Sequence, residues 1–262
     1  MNSYKSGIPA DIPITLIPQI KTYISTTDIS LLSQAMSTLS LLLELAPSVT
    51  FPEVEHDLLN DIYNVTHSPL ISGFALESLF RFYASLVQAD NQIATHVVPN
   101  LVISAERAPR AESSPANVAK CVAKVVKSQL AVAAGTIAEY AKHLRPSHKS
   151  KSSLITLSLL IMGELGRFMF VSYTLISVLF LLSNSDMAPQ KHIFQLVIDH
   201  FSFEQEEVRA AAAFSAGNIA VGNLPQFLPA IVKMVETDPK KRLLALHAAK
   251  EVCLADFASL FD

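Results

Sequence analysis

Eight histidines, two cysteines, 20 Lys and Arg and 23 Asp and Glu are the side chains that could do chemistry in this chain. The histidines stand at 56, 67, 96, 143, 148, 192, 200 and 247. None forms H-E-x-x-H or another compact ligand spacing, so no built zinc or iron centre is expected. His56 with Asp57 and Asp61 places polar groups within about one helical turn, which could hold a cation. The other reading of that trio is a solvated helix face. His143 and His148 flank Arg145, and like charge there disfavours a cation. Cys121 and Cys253 fall in apolar helical runs and are expected to be buried small hydrophobes rather than reactive thiols. Their separation excludes a disulfide scaffold. Ser and Thr are plentiful, but none has a base motif beside it. Glu53, Glu55, Asp57 and Asp61 read as a helix start facing water. Asn64-Val65-Thr66 is a glycosylation sequon, read here as a chance match. No catalytic residue, metal or cofactor is expected.

The basic residues are more informative by position. Arg107 and Arg110 fall between the helices of one pair. Lys142, His143, Arg145, His148, Lys149 and Lys151 fall in the next such turn, and Lys240, Lys241 and Arg242 in the last. If equivalent turns align along one edge, these residues form a discontinuous positive ridge suited to an acidic protein partner. The plain alternative is that turns are simply polar and wet. Nucleic acid is not expected: aromatic residues are not interleaved with the cations, and the pI is about 6.2.

The elements that would position these turns follow from composition. Half of the 262 residues are apolar, 16% are charged and the net charge is −3, which excludes a disordered chain. There are 7 glycines, scattered singly. No phosphate loop, dinucleotide fingerprint or nucleophile elbow is present. Leu, Ala and Ser dominate and Trp is absent, a composition expected of an all-α protein. Six apolar helical segments begin near Asp28, Pro69, Ala116, Ser152, Glu206 and Lys241. Each is the second member of a pair whose first helix often starts near a proline. Apolar residues recur at i, i+3, i+4 and i+7, as in Leu31, Ala35, Leu39 and Leu42, or Val208, Ala212, Ser215 and Ile219. The starts are 41, 47, 36, 54 and 35 residues apart. That is the hairpin period of HEAT and armadillo arrays, in which stacked pairs share one core. A generic helical bundle is the alternative. Residues 1–262 are therefore expected to form a single array of about six hairpins.

The interval of 54 is too long, and its excess sits at 168–185, FMFVSYTLISVLFLLSNS, which carries no charge. Removing about 15 residues restores the period, so 171–185 is expected to be an insertion foreign to the repeat, such as translated retained intron. A buried helix or a membrane span are the other readings; the stretch just reaches spanning length and contains Ser, Thr and Asn.

Glu207-Val208-Arg209-x-x-Ala212-x-x-x-Ala216-Gly217 resembles the HEAT second-helix signature, with acid at the helix start favouring the dipole. The stretch 215–252, SAGNIAVGNLPQFLPAIVKMVETDPKKRLLALHAAKEV, resembles the C-terminal half of the cullin-associated neddylation-dissociated proteins, most distinctively at Val221-Gly222-Asn223-Leu224-Pro225. Segments 68–87, 116–126 and 159–167 also fit, so the resemblance covers roughly 30–170 and 186–253. It implies a non-enzymatic regulator that embraces unmodified cullin–RING scaffold and promotes exchange of substrate-receptor modules, in cytoplasm and nucleus. It has no counterpart for 171–185, and it places the family's later repeats, with a β-hairpin that competes for the adaptor-binding end of the cullin, beyond Asp262. It carries over no particular contact residue. A transport-receptor-like HEAT scaffold that cradles cargo is the alternative, then a membrane-anchored helical protein. Array ends usually need polar caps, and Leu260 and Phe261 do not look like one, so self-association is expected.

Overall fold

The computed structural model describes residues 8–9, 11–109, 113–169 and 189–258. The expected insertion at 171–185, Arg110, and the terminal Leu260 and Phe261 lie outside these residues. The fold is all-α, of the HEAT/armadillo hairpin type, with no strand among the described residues. The chain forms two compact units, residues 1–133 and 134–262.

The first unit holds α1 (Asp11–Lys21), α2 (Ile29–Leu45), α3 (Pro47–Asp57), α4 (Leu59–Thr66), α5 (Gly73–Ala89), α6 (Ala94–Arg107) and α7 (Pro115–Ser128). Helix α2 packs on α5 and α5 on α7, forming one row; α1 packs on α3 and α4 on α6, forming the other. Each second helix starts where its sequence dictates. Asp28 caps α2, its Oδ1 accepting from the backbone N–H groups of Ser30 and Leu31 at 3.0 Å each. That satisfies two of the four donors a helix start leaves open. Ser114 caps α7, and Pro115 fills its first position, where no N–H is needed. Met36, Leu39, Leu79, Phe82 and Leu86 are completely buried between the rows. Phe82 and Tyr83 meet edge to face, with ring centres 5.4 Å apart. Helices α2 and α5 run parallel: Ser33 Oγ donates to the Phe74 carbonyl near their starts, and Ser85 Oγ donates to Glu44 near their ends.

The second unit holds α8 (Ala133–Lys142), α9 (Ser152–Met169), α10 (Pro189–Asp199), α11 (Glu206–Gly222), α12 (Leu224–Thr237) and α13 (Arg242–Ala258). Helix α11 is its centre, packed against α9, α10, α12 and α13. Small residues let these helices approach closely. A Cβ on Gly163 would lie 2.8 Å from the Ser215 Cα, and one on Gly166 would lie 2.5 Å from Ile219 Cγ1. One on Gly217 would lie 2.5 Å from the Ala248 carbonyl oxygen. These distances are shorter than any ordinary carbon contact. The pairs 163–215 and 166–219 rise together in number, so α9 and α11 run parallel. Ser215 Oγ sits 2.7 Å from both the Leu159 and Ala211 carbonyls, sharing its proton between the neighbouring helix and its own.

All six expected second helices are present, as α2, α5, α7, α9, α11 and α13. Only α5 starts well away from its expected position, at Gly73 rather than near Pro69. Asn117 Nδ2 donates to the Ser68 and Ile71 carbonyls at 3.0 and 2.9 Å, holding 68–71 as a turn. Gly73 then enters the helix at φ +50°, a value other residues rarely adopt. Within the Leu31 stripe, Ala35, Leu39 and Leu42 are buried but Leu31 is exposed; all four residues of the Val208 stripe are buried.

Two expectations are corrected. Glu53, Glu55 and Asp57 lie in the second half of α3, and Asp61 opens α4, with buried Leu58 between the two helices. They do not start one helix. Cys253 is exposed, because the apolar run around it has residues on both sides of α13 and only one side is covered. Among the described residues no single helix is long and apolar enough to cross a membrane.

Candidate functional site

The structure separates the candidate residues into turns. Arg107 is the last residue of α6 and is exposed, in the first unit. The second unit carries the other two groups. The turn from α8 to α9 is pinned from beneath by buried Leu144. His143 Nδ1 lies 2.9 Å from Ser150 Oγ, and the His143 and His148 rings meet edge to face with centres 5.0 Å apart. Backbone bonds from Arg145 to Lys142 and from His148 to Arg145 tighten the turn further. Four cations, Arg145, Lys149, Lys151 and Lys142, are thus presented from one compact loop. The first three are exposed; Lys142 pairs with Glu139. Burial holds the His143 imidazole below its usual pKa, helped by the charge of Lys142 and by His148, with Glu139 opposing. His143 is therefore a neutral strut of the turn near pH 7, and the positive potential comes from Lys and Arg.

The turn from α12 to α13 is an Asx turn. Asp238 Oδ1 accepts from the Lys240 and Lys241 backbone N–H groups at 3.0 and 3.2 Å. Lys240 is exposed there and Lys241 half-buried. Arg242 folds back, its Nε donating to the Val235 carbonyl at 2.9 Å. That leaves Lys240 as the freest cation of the three.

These two turns do not join. Helix α11 packs against both α9 and α13, and the turn before α11 belongs between theirs. It carries Glu204, Glu206 and Glu207 instead of cations. Arg209 Nη1 reaches back to the Phe203 and Glu204 carbonyls at 2.8 and 2.6 Å, so its charge is spent on closing the turn. In the second unit, then, the charge alternates along the edge: basic, acidic, basic. Glu206 and Glu207 lie in the first turn of α11, where they favour its dipole; the capping position is Gln205, whose side chain makes no cap bond.

The remaining chemistry resolves to structure. His56 Nδ1 bonds Asp57 Oδ1 at 2.6 Å on an exposed face, and Lys21 stands 4.0 Å from Asp61. No cluster of three metal-ligating side chains occurs among the described residues. Cys121 is completely buried, and burial pushes its thiol far above the reactive range. Thr66 of the sequon is buried, donating to the Ile62 carbonyl at 2.7 Å and lying 2.8 Å from the Tyr83 hydroxyl. The acceptor of the sequon, Asn64, is exposed, its Oδ1 accepting from Ser104 Oγ at 3.1 Å.

Val221 to Pro225, distinctive in the sequence, has no role that its residue types alone assign. The structure gives it one. Asn223 ends α11 and begins α12 at once, its Oδ1 accepting from Gln226 N–H at 3.3 Å and its Nδ2 donating to Gln226 Oε1 at 2.9 Å. Pro225 sits in the first turn of α12, where it costs no hydrogen bond. A single-residue joint sets the angle of the hairpin, and a Gly-Asn-x-Pro string between two apolar helices is the signal that could have revealed it.

No family model matches the chain. Among curated proteins, Cullin-associated NEDD8-dissociated protein 1 of Arabidopsis thaliana is 29% identical over 205 residues, 76% of this chain and 15% of that protein. The protein of the same name from Drosophila melanogaster is 27% identical over 271 residues, 95% of this chain and 20% of its own length. The "Cullin-associated NEDD8-dissociated protein 1, C-terminal part" of Emericella nidulans is 40% identical over 55 residues, 21% of this chain and 5% of that protein. A computationally designed armadillo repeat protein for modular peptide recognition covers 90% of this chain and 99% of its own, at 16% identity and a TM-score of 0.38. The chain spans no more than about a fifth of the length of the curated relatives it matches. Over most of its own length, this chain is similar in sequence to a segment of the cullin-associated NEDD8-dissociated proteins.

Proposed function

We propose that this chain is a non-enzymatic scaffold that binds unmodified cullin–RING complex through its hairpin turns and takes part in exchange of substrate-receptor modules. The observation that carries the proposal is the similarity, over most of the chain, to proteins whose names record association with cullins. The geometry supports it in kind. Rigid hairpins present Arg145, Lys149 and Lys151 from one turn and Lys240 from another, and no catalytic constellation occurs among the described residues. Exposed cations on a rigid frame steer an acidic partner and fix its register more than they add affinity. Exchange would follow if two partners compete for overlapping surface, a coupling of binding energies. Such a scaffold would act wherever cullin complexes assemble, in cytoplasm and nucleus.

The test is a pull-down of purified cullin–RING scaffold, unmodified and NEDD8-modified, by the whole chain and by a form lacking residues 171–185. Retention of unmodified scaffold, and not of modified scaffold, is the expected result. Binding only by the shortened form would mark 171–185 as an obstruction within a cullin-binding segment. Retention of neither scaffold by either form would refute the proposal.

A further inference from the structure

From Arg145 to Ser153 the chain reads Arg-Pro-Ser-His-Lys-Ser-Lys-Ser-Ser, four serines among the exposed cations Arg145, Lys149 and Lys151. By residue type the four hydroxyls are equivalent. The fold separates them. Ser150 is half-buried, and its Oγ lies 2.9 Å from His143 Nδ1, the contact that pins the turn. Ser152 and Ser153 are half-buried in the first turn of α9. Ser147 alone of the four is exposed, and neither its hydroxyl nor its main chain makes a hydrogen bond among the described residues.

Arg145 stands two residues before Ser147, and Lys149 stands two after it. In an extended segment residues two apart share a side. Laid along a peptide-binding cleft, 145–149 would therefore present both cations beside the Ser147 hydroxyl. Two main-chain bonds, from His148 N–H to the Arg145 carbonyl and from Ser150 N–H to the His148 carbonyl, must open for that. Cations on both sides of an accessible hydroxyl suit a protein kinase with an acidic cleft, whose field would draw the turn in.

We propose that Ser147 is a phosphorylation site for a serine/threonine kinase of this kind, and that its phosphate switches off the positive turn. The γ-phosphoryl group of ATP passes to Ser147: the bond from Oγ to phosphorus forms, the bond from that phosphorus to the bridging oxygen of ADP breaks, and the hydroxyl proton goes to the kinase's catalytic base. The product carries about −1.5 to −2 charge at pH 7. Arg145, Lys149 and Lys151 supply three exposed positive charges, so half or more of the turn's charge is cancelled. The phosphate oxygens also draw Arg145 and Lys149 into charge-assisted hydrogen bonds, away from an outside partner. That the switch governs cullin–RING binding rests on the function proposed above; the site at Ser147 does not.

The purified full chain is incubated with ATP and the catalytic domain of protein kinase C, a kinase with an acidic peptide cleft, and the phosphate is mapped by mass spectrometry. One phosphate per chain, on Ser147, is expected. Ser147→Ala should remove it while melting like the parent by circular dichroism, because the side chain is exposed and unbonded. Arg145→Gln/Lys149→Gln should slow labelling at least about fivefold, a change that exposure of the serine alone would not produce. The phosphorylated chain should leave a poly-glutamate column at lower salt than the parent. It should bind unmodified cullin–RING scaffold about five- to thirtyfold more weakly, the equivalent of about two exposed charges. An unlabelled Ser147, labelling that falls instead on Ser150, Ser152 or Ser153, or a phosphorylated chain held on poly-glutamate as firmly as the parent would overturn the proposal. So would equal binding of scaffold by both forms. Labelling and column retention need no cullin, so a chain that binds no scaffold refutes the function proposed above and leaves those two readouts to decide Ser147.

Discussion

Replacing Gly217 by Ala should loosen the second unit, whereas the same change at Gly135 should tighten it. At Gly217 the new Cβ would meet the Ala248 carbonyl oxygen at 2.5 Å and Glu251 Cβ at 2.6 Å. The first of these is main chain and has no rotamer to escape to, so α11 and α13 must part. A gap of roughly 0.5–1 Å already forfeits a quarter to a half of the dispersion energy of each separated pair. Overpacking of this kind costs about 1–3 kcal/mol. Ala recovers about 1 kcal/mol as the better helix former. The net is a loss of about 1 kcal/mol, reaching about 2 if the neighbouring helices cannot relax. At Gly135 in α8 nothing lies within 4 Å of the added carbon. Only the propensity gain remains there, about 0.5–1 kcal/mol. Urea unfolding followed by circular dichroism reads both as midpoint shifts of opposite sign at unchanged m-value. A Gly217→Ala protein as stable as the parent, or a Gly135→Ala protein weakened to the same degree, would refute the close-packing argument.

Other consequences are equally direct. Gly73→Ala should cost about 1 kcal/mol although nothing crowds the site, because φ +50° penalises any Cβ; denaturant unfolding of the first unit checks it. Asp28→Ala should cost about 1 kcal/mol by opening two N–H groups at the start of α2, with Asp28→Ser recovering most of it. His143 has its pKa lowered in the fold, so its contribution to stability is full above about pH 6.5 and declines as pH falls below that. A His143→Gln chain should show a flatter stability profile than the parent as pH falls below about 6.5 in thermal melts. An unchanged slope would remove His143 from the account.

The second helices were legible because each buries one stripe and fails to bury the other, so apolar residues recur at the helical period. The start of α5 was not, since Pro-Leu-Ile-Ser reads as apolar helix while its backbone is held in a turn by Asn117, 46 residues away from Ile71. No local pattern carries that bond. The exposure of Leu31 and Cys253 was hidden for a related reason. Periodicity tells which residues share a face, but not whether another helix covers that face. The acidic stretch 53–61 was misread because Leu58 interrupts what looks like one polar segment and divides α3 from α4. Of the basic residues expected between helices, Arg107, Lys142 and Arg242 are the end residues of helices and Arg110 lies outside the described residues; the separation of the groups at 142–151 and 240–242 by Glu204, Glu206 and Glu207 follows only from α11 lying between α9 and α13. The glycines were easiest to undervalue. Scattered singly, they carry no motif, but Gly163, Gly166 and Gly217 set how closely three helices meet.

The central claim is that the turn holding Arg145, Lys149 and Lys151 engages an acidic surface on unmodified cullin–RING scaffold. Its most direct test is the dissociation constant for that scaffold, measured by fluorescence anisotropy for the parent and for the Arg145→Glu/Lys149→Glu/Lys151→Glu chain, at low and physiological salt. Three exposed charges worth about 0.5–1 kcal/mol each predict a weakening of about ten- to a hundredfold, narrowing as salt rises. A parent that does not bind, or a reversed-charge chain that binds equally well, would contradict the account.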